Sequence, residues 1–148
     1  MPSFKVLDEA GKEVTEQEVM AVDRATGKGT KCVIYFYPKD STPGCTAEAC
    51  NIRDNYHTFL AQGYRVFGVS RDSVASHVRF KEKYDLPFPL LSDTSTEMLQ
   101  AFGAWGEKRN YGKVTMGTLR KTFVFDETGI LIRIIDKVDT KNHSAQIL

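Results

Sequence analysis

An apolar, aromatic run, Lys31-Cys32-Val33-Ile34-Tyr35-Phe36-Tyr37, passes through Pro38 into a short polar loop ending at Thr42-Pro43-Gly44-Cys45. A helical pattern begins there. This strand–loop–helix unit constrains the fold more than any other stretch, because a short strand that is apolar throughout belongs inside a sheet covered on both faces. Thr42 suits the N-cap, where its hydroxyl accepts from an N–H one turn in. Pro43 then takes N1, where no N–H is needed and φ is already helical. Gly44 falls at N2 and Cys45 at N3. Unsatisfied N–H groups and the positive end of the helix dipole favour an anion in this first turn. The reactive form of cysteine is such an anion, the thiolate.

From Thr46 onward, apolar residues recur at Ala49, Ile52, Tyr56 and Phe59, the spacing of one helical face. The pattern predicts a helix from Thr46 to Gln62, closed by Gly63. Cys45 lies on the upstream extension of that face, so its sulfur is expected to be half sheltered. Cys50 lies roughly 140° further around the helix, nearer its polar side. In an unbroken helix the two Cα atoms stand roughly 8.5 Å apart, whereas a disulfide needs about 7 Å or less. A bond between them therefore requires the first turn or two to unwind. The pair reads as a redox switch rather than a staple. Two ordinary buried thiols are the blander alternative, and the convergence of cap, proline, glycine and strand weighs against it.

The remaining pattern alternates short strands and helices. Phe4 to Leu7 and Lys12 to Val14 flank Asp8-Glu9-Ala10-Gly11 as a small hairpin. Residues Asp23 to Thr30 read as a loop. Strands are expected at Lys31 to Tyr37, Tyr64 to Ser70, Leu90 to Leu91, Arg120 to Phe125 and Ile130 to Asp136, the last two joined through Asp126-Glu127-Thr128-Gly129. Helices are expected at Ser73 to Tyr84 and Thr96 to Phe102. Residues 106–118 read as a glycine-containing loop, and Asn142 to Leu148 as a helix that stops after two turns. This order predicts an α/β fold with a central mixed sheet flanked by helices. The chain of 148 residues is the size of one compact domain, spanning 1–148, and 41% apolar residues supply its core. A net charge of +1, with both signs interspersed, argues against nucleic-acid or membrane partners. The start, Met1-Pro2-Ser3-Phe4-Lys5-Val6, lacks the layout of a signal peptide. Three cysteines do not make a secreted disulfide framework. A reducing compartment, the cytoplasm, is expected.

Pro38-x-x-x-Thr42-x-x-Cys45 behind the strand Tyr35-Phe36-Tyr37 resembles the peroxiredoxin motif. Thr42-Pro43-Gly44-Cys45-Thr46, with Cys50 five residues on, is similar to the bacterioferritin-comigratory or Q-type subfamily. Leu91-Ser92-Asp93, Phe102-Gly103-Ala104-Trp105-Gly106-Glu107-Lys108 and Gly117-Thr118-Leu119-Arg120-Lys121-Thr122-Phe123 extend the resemblance over almost the whole chain. It implies a thioredoxin-like fold and an antioxidant thiol peroxidase of the atypical 2-Cys kind, acting on hydrogen peroxide and organic hydroperoxides. Cys45 is then the peroxidatic cysteine and Cys50 the resolving cysteine. Thr42 and Arg120 hold sulfur and peroxide, and Pro38 shields the pocket. Spacing alone does not select among the arginines; the resemblance selects Arg120. Thioredoxin or a similar dithiol is the implied reductant, the implied state is a monomer, and relatives carry a longer terminal helix.

The chemistry is consistent with these roles. A thiolate attacks one peroxide oxygen in line with the O–O bond, and a guanidinium supplies fixed donors and permanent charge. The sulfenic acid so formed condenses with a nearby thiol, and an outside dithiol reduces the resulting disulfide. No cofactor motif is visible. Cys32, Tyr37 and Trp105 read as core, and Asp93 as the cap of the next helix. Glu48 is open between dipole stabilisation and a role in resolving-cysteine chemistry. His57, His77 and His143 are scattered, and no Cys-x-x-Cys or His-x₃-His pair suggests zinc. A thioredoxin-type disulfide reductase lacks its Cys-x-x-Cys here. A non-catalytic interaction protein or thiol-based chaperone is the third class considered.

Overall fold

The computed structural model describes residues 1–20, 30–110 and 112–148. The chain opens with an antiparallel hairpin, β1 (Lys5–Asp8) and β2 (Glu13–Thr15). A single helical turn, α1 (Glu16–Val19), follows and was not anticipated. The loop expected at Asp23 to Thr30 lies outside the described residues except for Thr30. Then come β3 (Lys31–Phe36), α2 (Pro43–Asp54), α3 (Tyr56–Ala61), β4 (Tyr64–Ser70), α4 (Val74–Tyr84), β5 (Leu90–Ser92) and α5 (Glu97–Ala101). The chain continues through β6 (Trp105–Asn110), β7 (Lys113–Thr118), β8 (Lys121–Phe125), β9 (Leu131–Ile135) and α6 (His143–Ile147).

Seven strands form one sheet in the order β2-β1-β5-β4-β3-β8-β9. The pairs β3–β4 and β4–β5 are parallel; β1–β2, β1–β5, β3–β8 and β8–β9 are antiparallel. The sheet is mixed, as expected, because α2 with α3, and then α4, return the chain for parallel pairing while tight turns join the outer pairs. β3 lies inside the sheet, and its side chains alternate between two cores. Cys32, Ile34 and Phe36 face Met98, Leu99 and Phe102 on one side. Val33, Tyr35 and Tyr37 face Cys45, Ala49, Ile52 and Phe59 on the other. The helical face read from Ala49, Ile52, Tyr56 and Phe59 is thus the face that covers the sheet.

Two local expectations are corrected. The single helix through Gln62 is two helices, broken at Asn55 (φ −111°, ψ 9°). The Asn55 side chain donates to the Asn51 carbonyl at 2.8 Å and competes with the helical ladder. The expected loop at residues 106–118 is largely a two-stranded ribbon, β6–β7, running in register from Trp105↔Thr118 to Asn110↔Lys113. Most of β7 is exposed. With no face buried, the ribbon leaves no hydrophobic alternation for a sequence reading to detect.

The sheet is closely covered at Gly68. A Cβ there meets the Tyr35 ring and hydroxyl at 2.9 Å and Leu90 at 3.0 Å. Gly68→Ala is expected to destabilise the fold by about 1–3 kcal/mol, read as a lower urea midpoint at unchanged slope. An unaltered midpoint would show that Tyr35 repacks freely.

Candidate active site

Cys45 stands at N3 of α2, where the cap sequence puts it. Thr42 is the N-cap with extended backbone (φ −82°, ψ 153°) and Pro43 begins the helix. The Thr46 N–H donates to the Thr42 carbonyl at 2.8 Å. The expected side-chain cap is absent, however. The Thr42 hydroxyl donates to the Lys39 carbonyl at 2.8 Å, so it closes the preceding loop instead. Ser41 in that loop has a φ of 62°, a region that non-glycine residues seldom occupy and that clusters at functional sites. Pro38 is half-buried at the end of β3.

The Cys45 side chain is buried at 1% exposure, not half sheltered. α2 presses it against Tyr35 and Tyr37, and Arg120 lies across the sulfur. Arg120 sits just before β8 and donates from Nη2 to Cys45 Sγ at 3.2 Å and from Nη1 to Glu48 Oε1 at 2.8 Å. Burial works against its charge, but Glu48 and Cys45 together hold it above the ordinary arginine value. The structure therefore brings together Cys45 and the one arginine that the family pattern selects.

Glu48 is not a solvated acid serving the helix dipole. It is fully buried, and burial pushes its carboxyl up to about 7 against the opposing pull of Arg120. His143, delivered by α6, is also fully buried. Its Nε2 lies 2.7 Å from Thr122 Oγ1 and 3.5 Å from Glu48 Oε2. A second polar cluster supports the loop. Asp40 accepts from the Tyr37 hydroxyl at 2.5 Å and the Ser76 hydroxyl at 2.8 Å, with His77 Nδ1 at 2.7 Å. His77 Nε2 donates to the Leu91 carbonyl at 3.0 Å. Neither His143 nor the Asp40–His77 pair was singled out from sequence. A lone polar residue in a loop or short helix carries no periodic signal, and only the tertiary fold brings its partners near.

Cys50 is half-buried on the same helix, and all three cysteines are free thiols. Cys32 is buried within β3, and burial pushes its thiol well above the ordinary range. Asp93 accepts from the Met98 and Leu99 N–H groups at 3.3 and 2.7 Å and caps α5 as expected. Among the described residues, no group of three or more His, Cys, Asp or Glu is placed to hold a metal ion, and no helix is long and apolar enough to cross a membrane.

The raised Glu48 carboxyl has a consequence for stability. A carboxyl whose folded value exceeds its unfolded value favours the fold below the unfolded value, and that contribution is lost as pH rises through the folded one. For Glu48 the window runs from 4.5 to about 7. Across it, the unfolding free energy of Glu48→Gln minus that of the wild type is expected to rise by on the order of 1 kcal/mol per pH unit. Urea denaturation at stepped pH measures this. A flat difference would mean that Glu48 titrates normally.

Comparisons with known proteins agree with this geometry. The AhpC/TSA family pattern matches residues 1–134. Peroxiredoxin Bcp of Bacillus subtilis (strain 168) is 48% identical over 121 residues, covering 82% of this chain and 77% of its own. Peroxiredoxin Bcp of Escherichia coli (strain K12) is 37% identical over 147 residues, covering 99% and 89%. Among solved structures, the bacterioferritin comigratory protein of Xanthomonas campestris, studied for alkyl peroxide reduction, superposes with a TM-score of 0.86 at 35% identity. The match covers 97% of this chain and 87% of that one. The sulfur at the helix tip, the guanidinium on it and these likenesses have one reading: the chain belongs to the AhpC/TSA family, is similar there to the Bcp and Q-type peroxiredoxins, and is a thiol peroxidase.

Proposed function

We propose that Cys45 is the peroxidatic cysteine and Cys50 its intramolecular resolving partner, in a cycle that reduces hydrogen peroxide and organic hydroperoxides. The observation that carries this reading is the 3.2 Å contact from Arg120 Nη2 to Cys45 Sγ at the third residue of α2. A fixed guanidinium and a helix N-terminus both favour negative charge on that sulfur. The thiolate attacks one peroxide oxygen; an S–O bond forms, the O–O bond breaks, and the departing oxygen leaves as an alcohol or water after taking a proton. Arg120 stabilises charge on both oxygens. The Thr42 hydroxyl has its hydrogen committed to Lys39, so its lone pairs are free to accept from the peroxide O–H. Pro38 shields the pocket.

Cys45 is left as a sulfenic acid. The Cys50 thiol displaces its hydroxyl as water and a disulfide forms. Thioredoxin or a similar dithiol then reduces that bond by thiol exchange. The 148 residues work as one domain, a monomer in a reducing compartment such as the cytoplasm, because the Cys45–Cys50 bond needs no second subunit. It does need α2 to open. Both thiols sit on one helix running from Pro43 to Asp54, which holds their Cα atoms roughly 8.5 Å apart. Asn51 marks the far limit of that opening, since it is tied to Lys141 and Ser144 by hydrogen bonds of 3.0, 2.8 and 3.1 Å.

Cys45→Ser is expected to abolish peroxide consumption in a thioredoxin-coupled assay while the fold persists; substantial turnover in this variant would sink the assignment. Arg120→Ala is expected to slow Cys45 oxidation roughly a hundred-fold, and an unchanged rate would mean that another cation serves the sulfur. Cys50→Ser is expected to react once, accumulate the Cys45 sulfenic acid and overoxidise more readily. If mass spectrometry finds no Cys45–Cys50 disulfide after one equivalent of peroxide, the mechanism uses one cysteine and Cys50 is a bystander.

A further inference from the structure

Behind the Cys45 sulfur, the half-buried Arg120 and the buried Glu48, Thr122 and His143 form a polar cluster whose hydrogens do not balance. Gln146 settles the tautomer of His143. Its Oε1 accepts from the Asp139 N–H at 2.9 Å while its Nε2 donates to the Lys137 carbonyl at 2.9 Å. Two backbone groups, each able to act in one sense only, thus orient the amide. The same Oε1 lies 2.8 Å from His143 Nδ1, so Nδ1 carries a hydrogen. Burial holds His143 below the ordinary imidazole value, and a neutral ring with hydrogen on Nδ1 has a bare Nε2. That nitrogen accepts from Thr122 Oγ1 at 2.7 Å and faces Glu48 Oε2 at 3.5 Å. Glu48 Oε2 is buried and has no hydrogen-bond partner among the described residues. Glu48 Oε2 is thus a buried acceptor without a donor, and the ring atom facing it carries no hydrogen of its own. A buried polar atom left unpaired costs more than an ordinary hydrogen bond contributes; one proton held by the Glu48–His143 pair supplies the missing hydrogen, and the Thr122 hydroxyl, able to donate or accept, turns to suit.

We propose that Glu48 and His143 share one proton in the resting enzyme, making His143 a positioning residue that frees the charge of Arg120 for the Cys45 thiolate. This rests on the reading of Cys45 given above. With the proton held, the cluster contains one guanidinium and one thiolate. Without it, two anions compete for a single guanidinium where water does not screen them. The other groups facing the pair do not supply the missing hydrogen. Arg133 and Asp139 act on His143 only at a distance. The Tyr35 ring meets the imidazole edge-on at 6.3 Å, and its hydroxyl, kept protonated by burial, bonds to neither residue. Arg120 already donates to the other Glu48 oxygen. The placement of His143 depends on α2 itself, because the neighbouring Ser144 is bonded twice to Asn51.

The full chain in its reduced state provides the test at pH 7. A shared proton is expected to be recorded on one partner or the other. Either the infrared difference between wild type and Glu48→Gln contains the carbonyl stretch of a protonated carboxylic acid, or nitrogen NMR finds hydrogen on both ring nitrogens of His143. A Glu48 carboxylate together with a bare Nε2 overturns the proposal. These spectra need no turnover, so failure of the peroxidase reading and failure of the shared proton are separately visible. Kinetics give the second arm. His143→Ala is expected to slow Cys45 oxidation by hydrogen peroxide roughly tenfold. His143→Gln, which keeps a donor near the Nε2 position, is expected to recover most of that loss. In a Glu48→Gln background the His143→Ala effect is expected to shrink, since it is transmitted through Glu48. An equal loss in both backgrounds marks His143 as structural only and also overturns the proposal. If His143→Ala does not fold, the wild-type spectra decide the question.

Discussion

One guanidinium ties the candidate site together. Arg120 reaches Cys45 with one nitrogen and Glu48 with another. A half-buried positive charge is costly unless its donors are satisfied, and here a carboxyl oxygen and a sulfur accept from them. The geometry also couples them. Whatever charge Glu48 carries is charge that the sulfur must compete with. The sheet makes the contact possible: β3 and β8 are paired neighbours, so the helix that follows one and the residue that precedes the other meet at the same end. The contact therefore depends on strand order as much as on the residues that form it.

The same helix carries a built-in tension. In the proposed cycle α2 is intact when Cys45 meets Arg120 and opens for Cys45 to reach Cys50. Besides the Arg120 contacts, two sets of interactions hold it closed. Ala49 and Ile52 bury its inner face against the sheet, and Asn51 bonds to the segment leading into α6. The first turn has no side-chain cap. Its N-cap hydroxyl serves the preceding loop rather than the helix, and Ser41 just before it is held in a left-handed conformation. Opening of the first turns gives up the Arg120 contacts with Cys45 and Glu48, and the Asn51 bonds resist its spread past Cys50.

Much of this was legible in the chain because it is local. The Thr42-Pro43-Gly44-Cys45 order sets a helix start through φ restriction and the missing proline N–H, and neither needs a partner from elsewhere. The unbroken apolar run of β3 and the Ala49, Ile52, Phe59 spacing announce buried faces, and those faces are buried. Asp93 announced a cap and is one. The break at Asn55 was hidden because the apolar spacing runs through it. The β6–β7 ribbon was hidden because it buries no face.

What only the tertiary structure decided is electrostatic. Along the sequence, Glu48 is an acid in a first turn, His143 a lone histidine near the end, and Arg120 one basic residue among many. Folding removes water from Glu48 and His143, half-buries Arg120, and places all three in one chain of contacts behind the sulfur. Burial then reverses the ordinary expectation for Glu48, because its charged form loses solvation that Arg120 only partly replaces. Sequence patterns record which side chains are hidden and where helices begin, since those follow from local sterics and hydrophobic spacing. They do not record which polar groups are hidden together, because that depends on strand order and helix docking between residues far apart in the chain.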